Sequence, residues 1–238
     1  MLVLRSLLFA LIQTVITPPF ALIALLTFGF GPFTRYRIIT MWSRVIIGAA
    51  RAICGIRYRV VGRENIPDQP CIIMSKHQSA WETLAFQVIF PPQVLVVKRE
   101  LLRIPFFGWG LAMLSPIAIE RGAGSRALRH IEEQGIARLR QGFWVIIFPE
   151  GTRIKPGEKG VYQSGGAWLA THSNSPVLPI ALNSGEFWGR KAFLKRPGTI
   201  TVSIGPPIRA QGMKPGEFNA KVESWIEAEM MRIANREV

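Results

Sequence analysis

From Arg57 onward the chain alternates short, nearly all-apolar runs with longer stretches in which apolar residues recur every three or four positions. The short runs are rich in Ile, Val and Leu, bounded by Gly, Pro and polar residues, and predict strands over Tyr58–Val61, Cys71–Met74, Val94–Val97, Ile117–Ile119, Trp144–Phe148, Val177–Leu182 and Ile200–Ile204. The longer periods predict helices over Trp81–Ile89, Ser125–Gln141, Gly165–Thr171 and Glu217–Ala234. In the Ser125 helix, Leu128, Ile131, Ile136 and Leu139 share a stripe, with charged residues mostly elsewhere. Strands alternating with helices predict an α/β fold: a mixed, largely parallel sheet of about seven strands flanked by helices. The Gly- and Pro-rich segments 154–160 and 205–216 read as surface connections.

The first 33 residues carry one charge, Arg5, in an otherwise apolar sequence, long enough to cross a hydrocarbon core of about 30 Å. Pro18-Pro19 is expected to break this segment into two pieces, each too short to span alone. A kinked single span, a helical hairpin dipping into one leaflet and continued by the amphipathic stretch Arg37–Cys54, a cleaved signal peptide and a buried helix pair all compete. Residues 1–56 are therefore assigned to membrane-associated helices and residues 57–238 to the α/β domain.

Charge sharpens that division. Eight of the 29 basic residues and none of the 15 acidic ones precede Glu64, so more than half of the net charge of +14 lies in roughly the first quarter. Arginines laced with long apolar runs suit an anionic lipid surface, and no nucleic-acid partner is expected. The two cysteines, Cys54 and Cys71, have neither disulfide-framework nor zinc spacing, so neither is expected there; His77 has no second His or Cys neighbour, and no metal or cofactor is expected elsewhere.

Three segments carry candidate chemistry. In Cys71-Ile-Ile-Met-Ser-Lys-His-Gln-Ser-Ala-Trp-Glu82 a strand delivers one of only three histidines, followed five residues later by a carboxylate. Neutral imidazole can take a proton from a hydroxyl near neutral pH, and a carboxylate on its other nitrogen would hold the tautomer. Residues five apart diverge by roughly 140° on a helix, so contact needs a turn, with the helix starting near Ala80 or Trp81. The competing reading is a capping His beside an ordinary first-turn Glu. Ser79 is an alternative nucleophile. In Phe148-Pro-Glu-Gly-Thr-Arg153 a strand exits sharply at its carboxyl end, where ligands of α/β folds gather, and Arg153 offers a planar fork for phosphate. Between them lie Lys98, Arg99 and Arg103, read as solvated charges, the aromatic run Ile104-Pro-Phe-Phe-Gly-Trp-Gly110, suited to an apolar chain or a membrane surface, and Arg121 at a strand end.

These blocks, with the apolar Val177-Leu-Pro-Ile-Ala-Leu182, resemble in order and content the 1-acylglycerol-3-phosphate (lysophosphatidic acid) acyltransferases, part of the wider glycerolipid acyltransferase group. The resemblance covers about Arg63 to Pro207; Glu82 stands where the family usually has Asp, and Glu120 precedes Arg121 where Asp is common. It implies acyl transfer from acyl-CoA or acyl-carrier protein to the free hydroxyl of a lysophospholipid, giving phosphatidic acid for phospholipid synthesis. His77 would be the base and Glu82 its partner, Arg121 and Arg153 would bind the acceptor phosphate, and Glu150, Gly151 and Thr152 would position substrate. The catalytic domain is expected on the cytoplasmic face of a membrane, a bacterial inner membrane in this reading. The alternatives are an acyltransferase acting on another lysolipid and a non-catalytic module for anionic membranes.

Overall fold

Every side chain of Trp144–Ile147 is buried: Trp144 and Ile146 face one helical layer, Val145 and Ile147 the other. A strand covered on both faces reads as a continuous apolar run, because both pleat directions meet protein. In the computed structural model, which describes residues 1–120, 122 and 124–235, seven strands form one mixed sheet, and three of them, at Ile72–Ser75, Trp144–Ile147 and Val177–Leu182, are buried along their whole length. The seven are β1 (Ile56–Val61), β2 (Ile72–Ser75), β3 (Gln93–Lys98), β4 (Ile117–Ile119), β5 (Trp144–Ile147), β6 (Val177–Leu182) and β7 (Gly198–Ile204). Their order is β1-β7-β6-β2-β5-β3-β4. The five strands from β6 to β4 are parallel, β7 is antiparallel to β6, and β1 runs parallel to β7.

The helices are α1 (Leu2–Leu26), α2 (Pro32–Ile39), α3 (Met41–Cys54), α4 (Trp81–Ile89), α5 (Phe107–Met113), α6 (Ser125–Arg140), α7 (Gly165–Ser173), α8 (Ser184–Phe187) and α9 (Pro215–Asn235). Buried residues of α3 and α4, among them Ile46, Trp81 and Leu84, join one core with Ile73, Ile146 and Ile180. Residues of α6, α7 and α9, among them Ile131, Leu169 and Phe218, join the opposite core with Ile72, Val145 and Val177. The parallel strands therefore all deliver their carboxyl ends to one edge, with β2 between β6 and β5.

Two elements depart from the sequence expectation. The break at Pro18-Pro19 does not occur: α1 runs unbroken through both prolines, which removes the basis for two separate pieces and for a hairpin at that point. Proline lacks the N–H that would bond the carbonyl four residues back, so Thr14 and Val15 lose those partners. Packing of α1 against α3 and α5 outweighs the loss, and the Thr17 hydroxyl bonds the Gln13 carbonyl at 2.6 Å just before the gap. Among the described residues, Leu2–Gly29 is the one helix long and apolar enough to cross a membrane, and Leu4, Leu7, Leu11 and Val15 are all exposed on it. Second, the aromatic run Ile104–Gly110, for which no helix is expected from the sequence, leads into α5. Gly108 is required there by contact rather than by flexibility, since a Cβ would stand 2.5 Å from the Leu102 carbonyl oxygen.

Candidate active site

β2 ends at Ser75, and Lys76–Ala80 turns the chain into α4 at Trp81. That turn brings together the two residues that a continuous helix would separate. Glu82 Oε1 lies 2.8 Å from His77 Nδ1 and also accepts the backbone N–H groups of Gln78 and Ser79, at 2.7 Å each. Its Oε2 accepts the Ser184 hydroxyl at 2.7 Å. A carboxylate surrounded by donors can only accept from the imidazole, which places the proton on Nδ1 and leaves the Nε2 lone pair for another group. The Phe148 ring stacks on the imidazole at 4.0 Å between centroids and holds its plane. Glu82 is fully buried, whereas the His77 side chain keeps 13% of its surface.

Ser79 does not compete as a nucleophile: it is buried, and its Oγ accepts the Trp81 N–H at the start of α4. Glu150 is also placed differently from expectation. Instead of facing a substrate, its carboxylate turns inward, accepts the His77 backbone N–H at 2.8 Å, and lies 2.9 Å from Lys76 Nζ. Lys76 is itself buried and also pairs with Glu227 of α9 at 2.9 Å, to which the Tyr162 hydroxyl donates. Burial pushes the Glu150 carboxyl up to about 7, against the opposing pull of Lys76 and the His77 N–H. Glu150 therefore acts on the backbone that carries His77. Nothing in its neighbours' residue types distinguishes that inward rotamer from an outward one, so local sequence reasoning misses it.

The turn after β5 exposes what Glu150 does not. Gly151 adopts the left-handed conformation (φ 64°) and its N–H returns to the Phe148 carbonyl, swinging Thr152 and Arg153 out toward the edge where His77 stands. His77, Thr152 and Arg153 line one cavity of about 460 Å³, within the range of small-molecule sites. Its remaining walls are mostly apolar: Phe20 and Ala21 of α1, Leu84 of α4, Leu95 of β3, and Leu111 with the preceding Phe106 at α5. Lys98, Arg190 and Lys191 also line it. Lys98 had the appearance of a solvated charge in the sequence, and Arg190-Lys191 lay in a segment without any motif. Only their arrival at the same edge marks them. Arg121 lies outside the described residues. Among the described residues, no cluster of His, Cys, Asp and Glu has the makings of a metal site.

An imidazole with its lone pair free, a carboxylate behind it, an apolar cavity and several cations can together deprotonate a hydroxyl on an amphiphile that carries an anionic group. Comparison with known proteins bears on the family and the fold. Residues 57–183 match the family model described as Acyltransferase. The chain is 48% identical over 208 residues to a 1-acyl-sn-glycerol-3-phosphate acyltransferase of Pseudomonas aeruginosa, covering 85% of this chain and 81% of that protein. It is 30% identical over 185 residues to the mouse 1-acyl-sn-glycerol-3-phosphate acyltransferase alpha, covering 76% of this chain and 65% of that one. The fold matches the crystal structure of a 1-acyl-sn-glycerophosphate acyltransferase of Thermotoga maritima with a TM-score of 0.80 at 24% identity, over 98% of this chain and 96% of that one.

Proposed function

The chain belongs to the acyltransferase family, and from that premise we propose that it moves a fatty acyl group from an acyl thioester to the free hydroxyl of 1-acylglycerol 3-phosphate, forming phosphatidic acid. The observation that carries the reading is the position of His77, on the wall of an apolar cavity that also receives Arg153, Lys98, Arg190 and Lys191. A lysophosphatidate has the three features this surface complements: an apolar tail, a hydroxyl and a phosphate monoester.

In the proposed mechanism His77 Nε2 takes the proton of the acceptor hydroxyl as its oxygen attacks the thioester carbonyl. Glu82 holds the imidazole through Nδ1 and stabilises the imidazolium that forms, as the acid of a Ser–His–Asp triad does. Collapse of the tetrahedral intermediate breaks the carbon–sulfur bond, and the imidazolium returns its proton to the departing thiolate. The hydroxyl comes from the substrate, so no protein nucleophile is needed. Arg153 binds the acceptor phosphate, a duty that the family resemblance gives to Arg121 as well. Gly151 and Thr152 shape the turn that presents Arg153, and Glu150 steadies the His77 backbone. The chemistry asks for no cofactor beyond the acyl donor, acyl-CoA or acyl-carrier protein.

The exposed leucines of α1 sit in the bilayer in this reading, which keeps the cavity next to an acceptor already dissolved there. The arginines that follow α1 support a catalytic domain on the cytoplasmic face.

The test is thioester consumption by the purified chain against lysophosphatidate, lysophosphatidylcholine and monoacylglycerol. Lysophosphatidate is expected to be the preferred acceptor, and His77→Ala to abolish transfer while the protein still sediments with liposomes. Full activity in that variant would overturn the mechanism, and preference for a phosphate-free acceptor would overturn the substrate.

A further inference from the structure

The segment between α8 and β7 is a shaped loop rather than slack chain. Lys195 Nζ donates to the carbonyls of Ala192 and Phe193, at 2.6 and 3.0 Å, and closes the loop on itself. The Lys195 backbone N–H donates to Ser6 Oγ of α1 at 2.9 Å, and Trp188 packs edge-on against Phe9 at 5.1 Å between centroids. Within this frame Lys191 takes the left-handed conformation (φ 56°), which a side-chain-bearing residue rarely adopts without compensation elsewhere. The loop carries Arg190 and Lys191 back to the cavity that holds His77.

Arg190 Nη1 donates to the Arg153 carbonyl at 3.0 Å, so the loop is also tied to the turn after β5. That bond uses one of five guanidinium N–H groups. Among the described residues, none of Arg153, Arg190 and Lys191 has a carboxylate within ion-pair distance. Three like charges gathered on one cavity repel each other unless an anion joins them. In the sheet, His77 follows the central strand β2; Arg153 follows β5 on one side, and Arg190 and Lys191 follow β6 and α8 on the other.

We propose that Arg190 and Lys191 form a second phosphate-binding subsite, on the β6 side of His77, for a phosphoester of one of the two substrates. The inference rests on the acyl-transfer reading, in which two substrates meet at one base. The phosphoester can come from two sources with the same chemistry. One is the phosphopantetheine arm that coenzyme A and acyl-carrier protein share, and the other is the acceptor itself. Arg190 stands beside Arg153, bonded to its carbonyl, so the cluster can take two neighbouring phosphates: the acceptor's at Arg153 and the donor arm's at Arg190 and Lys191.

The experiment measures binding, so it does not depend on turnover. Coenzyme A, pantetheine (which lacks phosphate) and lysophosphatidate are each titrated into the full-length detergent-solubilised protein and into Arg190→Gln/Lys191→Gln. Both residues are exposed, and thermal melts of the two proteins verify that the variant is folded. Loss of the charge-assisted bonds is expected to weaken coenzyme A about ten- to hundredfold, with no comparable effect on pantetheine. Selective weakening of lysophosphatidate instead would keep the phosphate subsite and assign it to the acceptor. Equal affinity of variant and wild type for both phosphorylated ligands would overturn the proposal, as would an equal loss for pantetheine. A wild-type protein that binds coenzyme A through these residues yet consumes no thioester would leave the subsite standing and sink the acyl-transfer reading.

Discussion

Glu82 Oε1 meets His77 Nδ1 at 2.8 Å because the carboxylate reaches back along the turn to the backbone of Gln78 and Ser79, and the ring lies across that path. The helix that carries Glu82 starts at Trp81, one residue before it. The pair is a built contact with Oε1 saturated by three donors.

That saturation makes Glu82→Gln an informative variant. The amide oxygen can remain at Oε1 and keep the tautomer, while its NH₂ meets the Ser184 hydroxyl turned to accept. Only the charge is lost, so kcat is expected to fall by roughly a hundredfold with KM nearly unchanged. Glu82→Asp retains the charge but retreats by about an ångström, a misplacement that can also cost about a hundredfold. Steady-state kinetics measures both losses; less than a tenfold loss in Glu82→Gln would show that imidazolium stabilisation contributes little.

Arg153→Ala is expected to raise the KM for lysophosphatidate by about ten- to hundredfold, the worth of charge-assisted bonds to phosphate. The rate with monoacylglycerol, which has no phosphate, should change far less. Equal losses for both acceptors would mean that Arg153 supports the turn and does not read the phosphate.

Glu150 couples stability to pH. Its carboxyl titrates near the ordinary 4.5 when unfolded and at about 7 in the fold, raised by burial. Between those values the folded chain holds the additional proton, so this contribution is present below pH 4.5 and is lost as pH rises through 7. A shift of that size corresponds to roughly 3 kcal/mol at most. Urea unfolding at pH 5 and pH 8 should show wild type losing more stability than Glu150→Gln, which still accepts the His77 N–H. Parallel losses in the two proteins would rule out Glu150 as the source.

The cavity predicts chain-length dependence. Gly110 lines it, and a Cβ added there meets open space. Gly110→Phe should therefore fold and fill the apolar region, lowering kcat/KM for long-chain donors more than for short ones. A uniform loss across a series of acyl-CoA lengths would argue that the acyl chain binds elsewhere.

Leu4, Leu7 and Leu11 lie on one exposed face of α1. Replacing all three by Ser should weaken liposome partitioning by roughly a thousandfold or more, given about 1.5–3 kcal/mol for each buried leucine. Unchanged flotation with vesicles would locate the membrane contact on another surface.

The elements themselves were legible from periodicity. Ile117–Ile119, Val177–Leu182 and Trp81–Ile89 have the same bounds in sequence and structure, because each is an apolar run that turn or polar residues close at both ends. The His77–Glu82 contact was legible only conditionally, since spacing sets the need for a turn but not the rotamers that close it. α1 was misjudged at Pro18-Pro19 because local propensity favours a break, whereas α3 and α5 supply packing from residues distant in sequence. Strand order was not legible either, and it decides which loops meet. Sequence by itself determined the α/β class, the apolar first segment and the residue types of the chemistry. Only the tertiary structure turned Glu150 inward to Lys76, brought Lys98 and Arg190-Lys191 to the cavity of His77, and let an α1 wall complete that cavity. The physical reason is range: periodicity and turn chemistry act over a few residues, while a site at the carboxyl edge of a sheet is assembled by strand pairings that join segments far apart in sequence.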